Sequence, residues 1–267
     1  MTLQEASGTI ARLARYEVGV VAELPEEDAI QVEINGVLAG IVRCLPDAPV
    51  ELAIGWAFMH GFFGPNDPID AVTHHEGRVS LMIETSANID ARREAAAGWL
   101  EIDDAYGDES RAPAEPFAIH GDVLIDLLRE VFRVMAKDRS RDGFVHAAVA
   151  SDQAIHCVAR DASVGNAVAK ILGWMIREGR DEETPILVVR GMVDRSVIRA
   201  AAKLGVSMVV TSGIPTADAF RLALGQDITI LGMATNQRPG LLVDAGHVVE
   251  DDGIADVQSG VERPSQS

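Results

Sequence analysis

The sequence predicts an α/β protein in which a smaller N-terminal α+β domain precedes a larger α/β/α domain, and three observations carry that expectation. From residue 118 onward, short Val- and Ile-rich runs alternate with stretches of helical length, the pattern of a sheet covered on both faces with parallel neighbours. Ahead of them, a two-residue hairpin signal, Asn35-Gly36, is followed by one apolar helix. Between the two halves the composition turns abruptly polar, acidic and Ala-rich over 87–117. The expected boundaries are 18–98 for the N-terminal domain, 99–117 for an acidic linker or loop, 118–249 for the α/β domain and 250–267 for a disordered tail.

Residues 1–17 read as a short amphipathic helix, and the apolar stretches at 17–23 and 29–43 alternate as strands do. In PDAPVELAIGWAFMHGFF, Leu52, Trp56 and Met59 recur at helical spacing, with Pro46-Asp47 as the start signal and Gly61 as the stop. Strand-like alternation resumes over 69–86. After the linker the expected order is helix 120–137, strands 144–150 and 154–160, helix 163–178, strand 185–190, helix 193–204, strand 206–211, helix 215–224 and strand 228–233.

Composition narrows the function classes. The 267 residues are 48% hydrophobic, enough to bury a sizeable core. No apolar run approaches the roughly 18–20 residues of a membrane span, and the polar, acidic start lacks the stretch a secretory signal needs, so a cytoplasmic protein is expected. With 23 basic against 41 acidic residues the net charge is −18, which disfavours long nucleic acids and anionic membranes and leaves room for a small anion in a local pocket. Two cysteines, Cys44 and Cys157, sit in apolar settings as core residues and exclude a disulfide framework or a Cys-rich metal site. His74-His75 has no partner cluster in sequence, and no metal is expected. His146 begins an HAA triplet, but the glutamate of a zinc deaminase H-x-E would be Ala148, and no P-C-x-x-C follows.

In open α/β sheets ligands sit beyond the carboxyl ends of the strands, where helix N-termini favour anions. Three such exits stand out: Arg190-Gly191, Thr211-Ser212-Gly213-Ile214-Pro215-Thr216, and Gly232 through Thr235, Asn236 and Arg238. Each is ordinary turn chemistry taken singly; together on one edge they favour a pocket. No Walker loop, no GxGxxG after a strand and no serine elbow accompanies them.

The residues resemble those of the formate dehydrogenase accessory (FdhD) family. Val32-Glu33-Ile34-Asn35-Gly36 is similar to that family's V-N-G strand pair, and Pro46 with Glu51-Leu52-Ala53-Ile54-Gly55-Trp56 to its P-x-x-x-E-L-A-x-G-F helix. Asp142-Gly143-Phe144-Val145-His146-Ala147-Ala148 is similar to a T-G-G-x-H-A-A block, and Arg160-Asp161 through Asn166-Ala167-Val168-Ala169-Lys170 to E-D-V-G-R-H-N-A-V-D-K. Arg190-Gly191-Met192 corresponds to S-G-R, Thr211 through Thr216 to S-x-S-A-P-T, and Leu231 through Asn236 to L-I-G-F-x-R-G. The resemblance implies a cytidine-deaminase-like C-terminal domain, a homodimer, and a loop cysteine that takes sulfur from a cysteine desulfurase. That sulfur is passed to a molybdenum or tungsten bis-pterin guanine dinucleotide cofactor for a formate dehydrogenase-type oxidoreductase. Cofactor phosphates and guanines would sit at the strand exits, so the implied binding set is His146, Asp161, Asn166, Lys170, Arg190, Gly191, Thr211, Ser212, Thr216, Gly232, Thr235, Asn236 and Arg238.

The family's C-G-x-C-G element is missing: Glu101 through Glu109 contains no cysteine, and carboxylates cannot carry sulfane sulfur. The family's Arg-His pair is Val164-Gly165, its S-G-R arginine is Met192, and its final R-G is Thr235-Asn236. The expectation is therefore binding of the cofactor, or of a GDP-like nucleotide, without sulfur transfer and with no catalytic residue named. Alternatives are sulfur transfer by a relocated thiol at Cys157, a partner-binding protein without small-molecule chemistry, or a repurposed pocket. For the retained residues a structural role is the alternative, with Asn166 capping its helix and Lys170 covering the flank.

Overall fold

The computed structural model describes residues 26–96, 117–137, 143–179, 186–236 and 239–249. The expected helix at 1–17, the strand at 17–23, the linker from 99 as far as 116 and the tail from 250 lie outside them.

In the N-terminal unit, β1 (Asp28–Ile34) and β2 (Val37–Cys44) pair antiparallel around a turn in which Asn35 and Gly36 both take positive φ, 50° and 79°. A second hairpin, β3 (Ile69–His75) and β4 (Arg78–Ile83), accounts for the alternation at 69–86, and β4 runs parallel to β1 to give the order β2-β1-β4-β3. Helix α1 (Pro49–Met59) covers one face of this sheet. It begins three residues later than the expected start at Pro46, because Pro49 supplies the fixed φ of a first turn while the Asp47 side chain is engaged elsewhere. Part of the polar, Ala-rich stretch over 87–117 is helical. Ile89–Ala96 forms helix α2, which Asn88 Oδ1 caps by accepting from the Ala91 amide at 3.1 Å and which packs against the edge strand β2.

The C-terminal half runs β5 (Ile119–His120), α3 (Gly121–Ala136), β6 (Val145–Ala150), β7 (Ile155–Asp161), α4 (Val164–Glu178), β8 (Ile186–Arg190), α5 (Arg195–Lys203), β9 (Met208–Thr211), α6 (Ala217–Gly225), β10 (Thr229–Gly232), β11 (Gly240–Val243) and β12 (Val248–Val249). Its central sheet has the order β11-β10-β9-β8-β6-β7. The expected parallel neighbours hold for β8, β9 and β10, but β6 is antiparallel to both β7 and β8, and β11 is antiparallel to β10. The reason is local: the Ser151 amide donates to the Ala154 carbonyl at 2.9 Å, a tight turn that can join only antiparallel strands. Helices α4, α5 and α6 bury one face of the sheet, and α3 buries the other.

The two halves share one core, because α1 lies directly on α4. Their backbones approach so closely that a Cβ on Gly55 would fall 1.8 Å from the Ala169 carbonyl oxygen, and one on Gly173 would fall 1.9 Å from that of Glu51. Only glycine fits at either position.

A buried polar clasp fixes the same junction. Lys170 on α4 is 1% exposed, and its Nζ lies 2.9 Å from Asp161 Oδ2 and 2.8 Å from Asp47 Oδ1. It also donates to the carbonyls of Arg160 at 3.0 Å and Leu45 at 3.4 Å. Asp161, fully buried, accepts from the amides of Ala162 (2.8 Å) and Leu45 (3.2 Å) and from Asn166 Nδ2 (3.0 Å). Asn166 Nδ2 further donates to the Arg43 carbonyl at 2.7 Å. The helix cap expected of Asn166 is instead Ser163, whose Oγ accepts from the Asn166 amide at 3.2 Å.

Removing one partner of a buried, satisfied ion pair strands the other charge, at a cost of about 3–5 kcal/mol. Lys170→Met, which keeps the side-chain length, is expected to lower the urea unfolding free energy by about that amount; a loss under roughly 1 kcal/mol would mean that the clasp is not holding the halves together.

Candidate functional site

The exits of β8, β9 and β10 are joined by hydrogen bonds into one ledge at the carboxyl edge of the sheet. Thr211, fully buried at the end of β9, donates from Oγ1 to the Gly191 carbonyl and accepts from the Gly213 amide at 3.1 Å. The Ser212 amide donates to the Val189 carbonyl at 3.0 Å, the Met233 amide to Gly213 at 2.7 Å, and the Ala234 amide to Thr211 at 3.0 Å. Thr216 caps α6, its Oγ1 accepting from the Ala219 amide at 3.2 Å. Gly191 has a φ of 156°, and a Cβ there would press on the Val164 side chain at 2.7 Å. Gly232 is buried, and a Cβ there would meet Leu242 at 2.5 Å.

Of the residues expected at the site, Gly191, Thr211, Thr216 and Gly232 therefore build the ledge, while Ser212 is half-buried and Arg190, Thr235 and Asn236 are exposed on it. Arg238 lies outside the described residues. Asp161, Asn166 and Lys170 are the members of the clasp, their polar groups engaged within the chain.

His146 stands apart from both groups. On β6 it pairs with Arg160 of β7 on one side and with Arg190 of β8 on the other. Directly opposed residues of antiparallel strands project from the same face, so Arg160, His146 and Arg190 form a row of basic side chains across three strands, spanning about 10 Å. His146 is 5% exposed. The Arg160 guanidinium lies over the Phe144 ring, 5.5 Å from its centroid, and its Nε is 3.5 Å from Asp47 Oδ2. Asp47, Met135, His146, Val158 and Arg160 line a cavity of about 230 Å³ beside the end of α3.

Arg160 and Asp47 were absent from the expected set. The signal for Arg160 was present: the turn at Ser151–Ala154 fixes the hairpin register, and that register places position 160 opposite His146. Nothing local marks Asp47, whose role depends on a contact between the two halves.

Both cysteines are held in the thiol form. Burial, reinforced by the Asp161 charge, pushes Cys44 up to about 11; burial, reinforced by Glu51, pushes Cys157 on the edge strand β7 up to about 11. His74 and His75 are exposed and alternate in direction along β3, and among the described residues no cluster of three or more His, Cys, Asp or Glu could hold a metal. No helix among them is long and apolar enough to cross a membrane.

The chain is similar to the sulfur carrier protein FdhD of Bordetella parapertussis, 25% identical over 225 residues that cover 79% of this chain and 82% of that protein. The sulfur carrier protein FdhD of Geobacillus kaustophilus is 24% identical over 239 residues, 84% of this chain and 91% of its own. Its fold is similar to the crystal structure of a proposed formate dehydrogenase accessory protein from Desulfotalea psychrophila, with a TM-score of 0.68 over 84% of this chain and 90% of that one at 15% identity. The FdhD/NarQ family model matches residues 25–248, which spans both halves, the clasp and the ledge, and this protein therefore belongs to the FdhD/NarQ family.

Proposed function

We propose that this protein binds a molybdenum or tungsten bis-pterin guanine dinucleotide, or a related GDP-like nucleotide, as cargo at the carboxyl edge of its central sheet. It serves the maturation of a formate dehydrogenase-type oxidoreductase, as a cytoplasmic homodimer, on a sheet we read as the cytidine-deaminase-like layer. The observation that carries this reading is the row of Arg160, His146 and Arg190 beside glycine-bearing strand exits, whose two guanidiniums supply positive charge for phosphates in a chain of net charge −18. In this reading Arg190 and Arg160 take phosphate oxygens, Ser212, Thr235 and Asn236 offer hydroxyl and amide contacts, and the clasp and Thr211 keep the frame in place.

Sulfur transfer is not part of the proposed activity, although the curated relatives named above are sulfur carriers. A persulfide relay needs an accessible thiolate, and a thiol raised to about 11 is ionised at pH 7 in only on the order of one molecule in ten thousand. The same argument weighs against Cys157 as a relocated sulfur carrier.

Calorimetric titration of the full chain with GDP is expected to show saturable binding that Arg190→Ala weakens by about tenfold, near 1.4 kcal/mol. An absence of heat with GDP and with pterin nucleotides would overturn the reading. Alkylation of Cys157 by iodoacetamide is expected to keep accelerating about tenfold per pH unit from pH 8 to pH 10. A plateau near pH 8, or a persulfide adduct on intact mass after incubation with a cysteine desulfurase, would restore the relocated-thiol alternative.

A further inference from the structure

The cavity beside the basic row is lined by a carboxylate, an odd group to find where an anion is to bind. Asp47 stands between β2 and α1, one residue ahead of the N-cap position, which Ala48 holds, and no side chain caps α1. Ala48, the next residue, holds a φ of 53° in the left-handed region, which a residue with a Cβ adopts only where its surroundings require it. The result of this backbone path is that Asp47 reaches across to the other half of the protein. Its Oδ1 lies 2.8 Å from Lys170 Nζ and its Oδ2 lies 3.5 Å from Arg160 Nε. The two contacts differ in surroundings: Lys170 is 1% exposed, whereas Arg160 is 28% and Asp47 itself 45% exposed, so the Arg160 side is open to solvent and to a solute.

We propose that Asp47 is a built-in competitor for the anion at this site, resting on the ligand reading above. Without ligand its carboxylate occupies the Arg160 guanidinium. When a phosphate group takes that guanidinium, Asp47 gives up Arg160 and keeps Lys170, so that neither the displaced carboxylate nor the buried ammonium is stranded. Two consequences follow from the charges. A multiply charged diphosphate displaces a single carboxylate more readily than a monoanion does, so the contact selects for highly charged ligands. Because Asp47 belongs to the N-terminal unit and Arg160 to the central sheet, ligand binding and the seating of the N-terminal unit are coupled, each weakening one contact of the other.

The test is calorimetric titration of inorganic pyrophosphate and GDP into the wild-type chain, Asp47→Asn, Arg160→Gln and the double variant, with Tm measured for each. Asn keeps the size of Asp47 and a carbonyl for Lys170 but carries no charge. Asp47→Asn is expected to bind pyrophosphate about five- to tenfold more tightly while its Tm falls, and the gain is expected to vanish in the Arg160→Gln background. Binding of pyrophosphate by Asp47→Asn where the wild type shows none would support the competitor, provided the wild type still takes up GDP or a pterin nucleotide. A purely structural Asp47 predicts a lower Tm with binding unchanged or weaker, and that result overturns the competitor while leaving the ligand reading in place. An equal gain with Arg160→Gln present also overturns it. If neither the wild type nor Asp47→Asn binds pyrophosphate or GDP, both the competitor and the ligand reading fail.

Discussion

The ion pair between Lys170 and Asp161 is the contact on which the rest of the structure depends. Two buried charges are costly unless every remaining donor and acceptor is used, and here both are used almost completely. Asp161 ends β7 and Lys170 lies on α4, so the pair locks the edge of the central sheet to the helix beneath it. Through Leu45, Arg43 and Asp47 it also takes hold of the segment that leads from β2 into α1. The glycines at the α1–α4 crossing complete this arrangement, because the backbones could not come close enough with any side chain between them. The division of labour is that the clasp sets the relative position of the halves and the apolar core supplies the driving force.

What the clasp leaves in place is a ledge of strand exits joined by hydrogen bonds. The Thr211 hydroxyl and the amides of Ser212, Met233 and Ala234 tie neighbouring strand exits within the chain, so the ledge does not rely on Arg190, Thr235 or Asn236. This explains how the edge persists although Met192, Thr235 and Asn236 stand where the family pattern has basic residues or glycine. Two guanidiniums at that edge, Arg160 and Arg190, stand in a row set by strand register rather than by a contiguous motif. The segment Glu101 through Glu109, where the resemblance places the family's cysteines, carries carboxylates and no cysteine, and the thiols of Cys44 and Cys157 are buried enough to stay protonated. A fold can keep its binding edge while losing the group that reacted there, because the two rest on different residues.

Much of this was legible in the sequence, for identifiable reasons. The Asn35-Gly36 turn, the helix ending before Gly61 and the Val-rich strands are local signals, and they appear where periodicity and turn chemistry put them. The antiparallel setting of β6 was missed because strand direction follows from a four-residue turn that carries no glycine or proline. Helix α2 was hidden in a polar, Ala-rich stretch whose order comes from its contact with β2 rather than from its own apolar face. Among the site residues, Asp161, Asn166 and Lys170 were recognisable as a set but not as a clasp, since their partners lie more than a hundred positions away in sequence, on backbone carbonyls and amides that no motif encodes. Arg160 lies opposite His146 through a register that the Ser151–Ala154 turn sets locally, whereas Asp47 is defined by its contacts with the other half of the chain.

In the proposed function the sheet edge carries nucleotide cargo and the chain relays no sulfur. Native mass spectrometry of protein freshly purified from a host that makes the pterin cofactor tests it most directly, because it reads bound ligand without presuming its identity. The account predicts a mass increment attributable to a guanine nucleotide or pterin guanine dinucleotide, released on denaturation, on a chain whose cysteines carry no added sulfur. A bare chain that takes up no GDP, or a chain carrying covalent sulfur on Cys44 or Cys157, would contradict it.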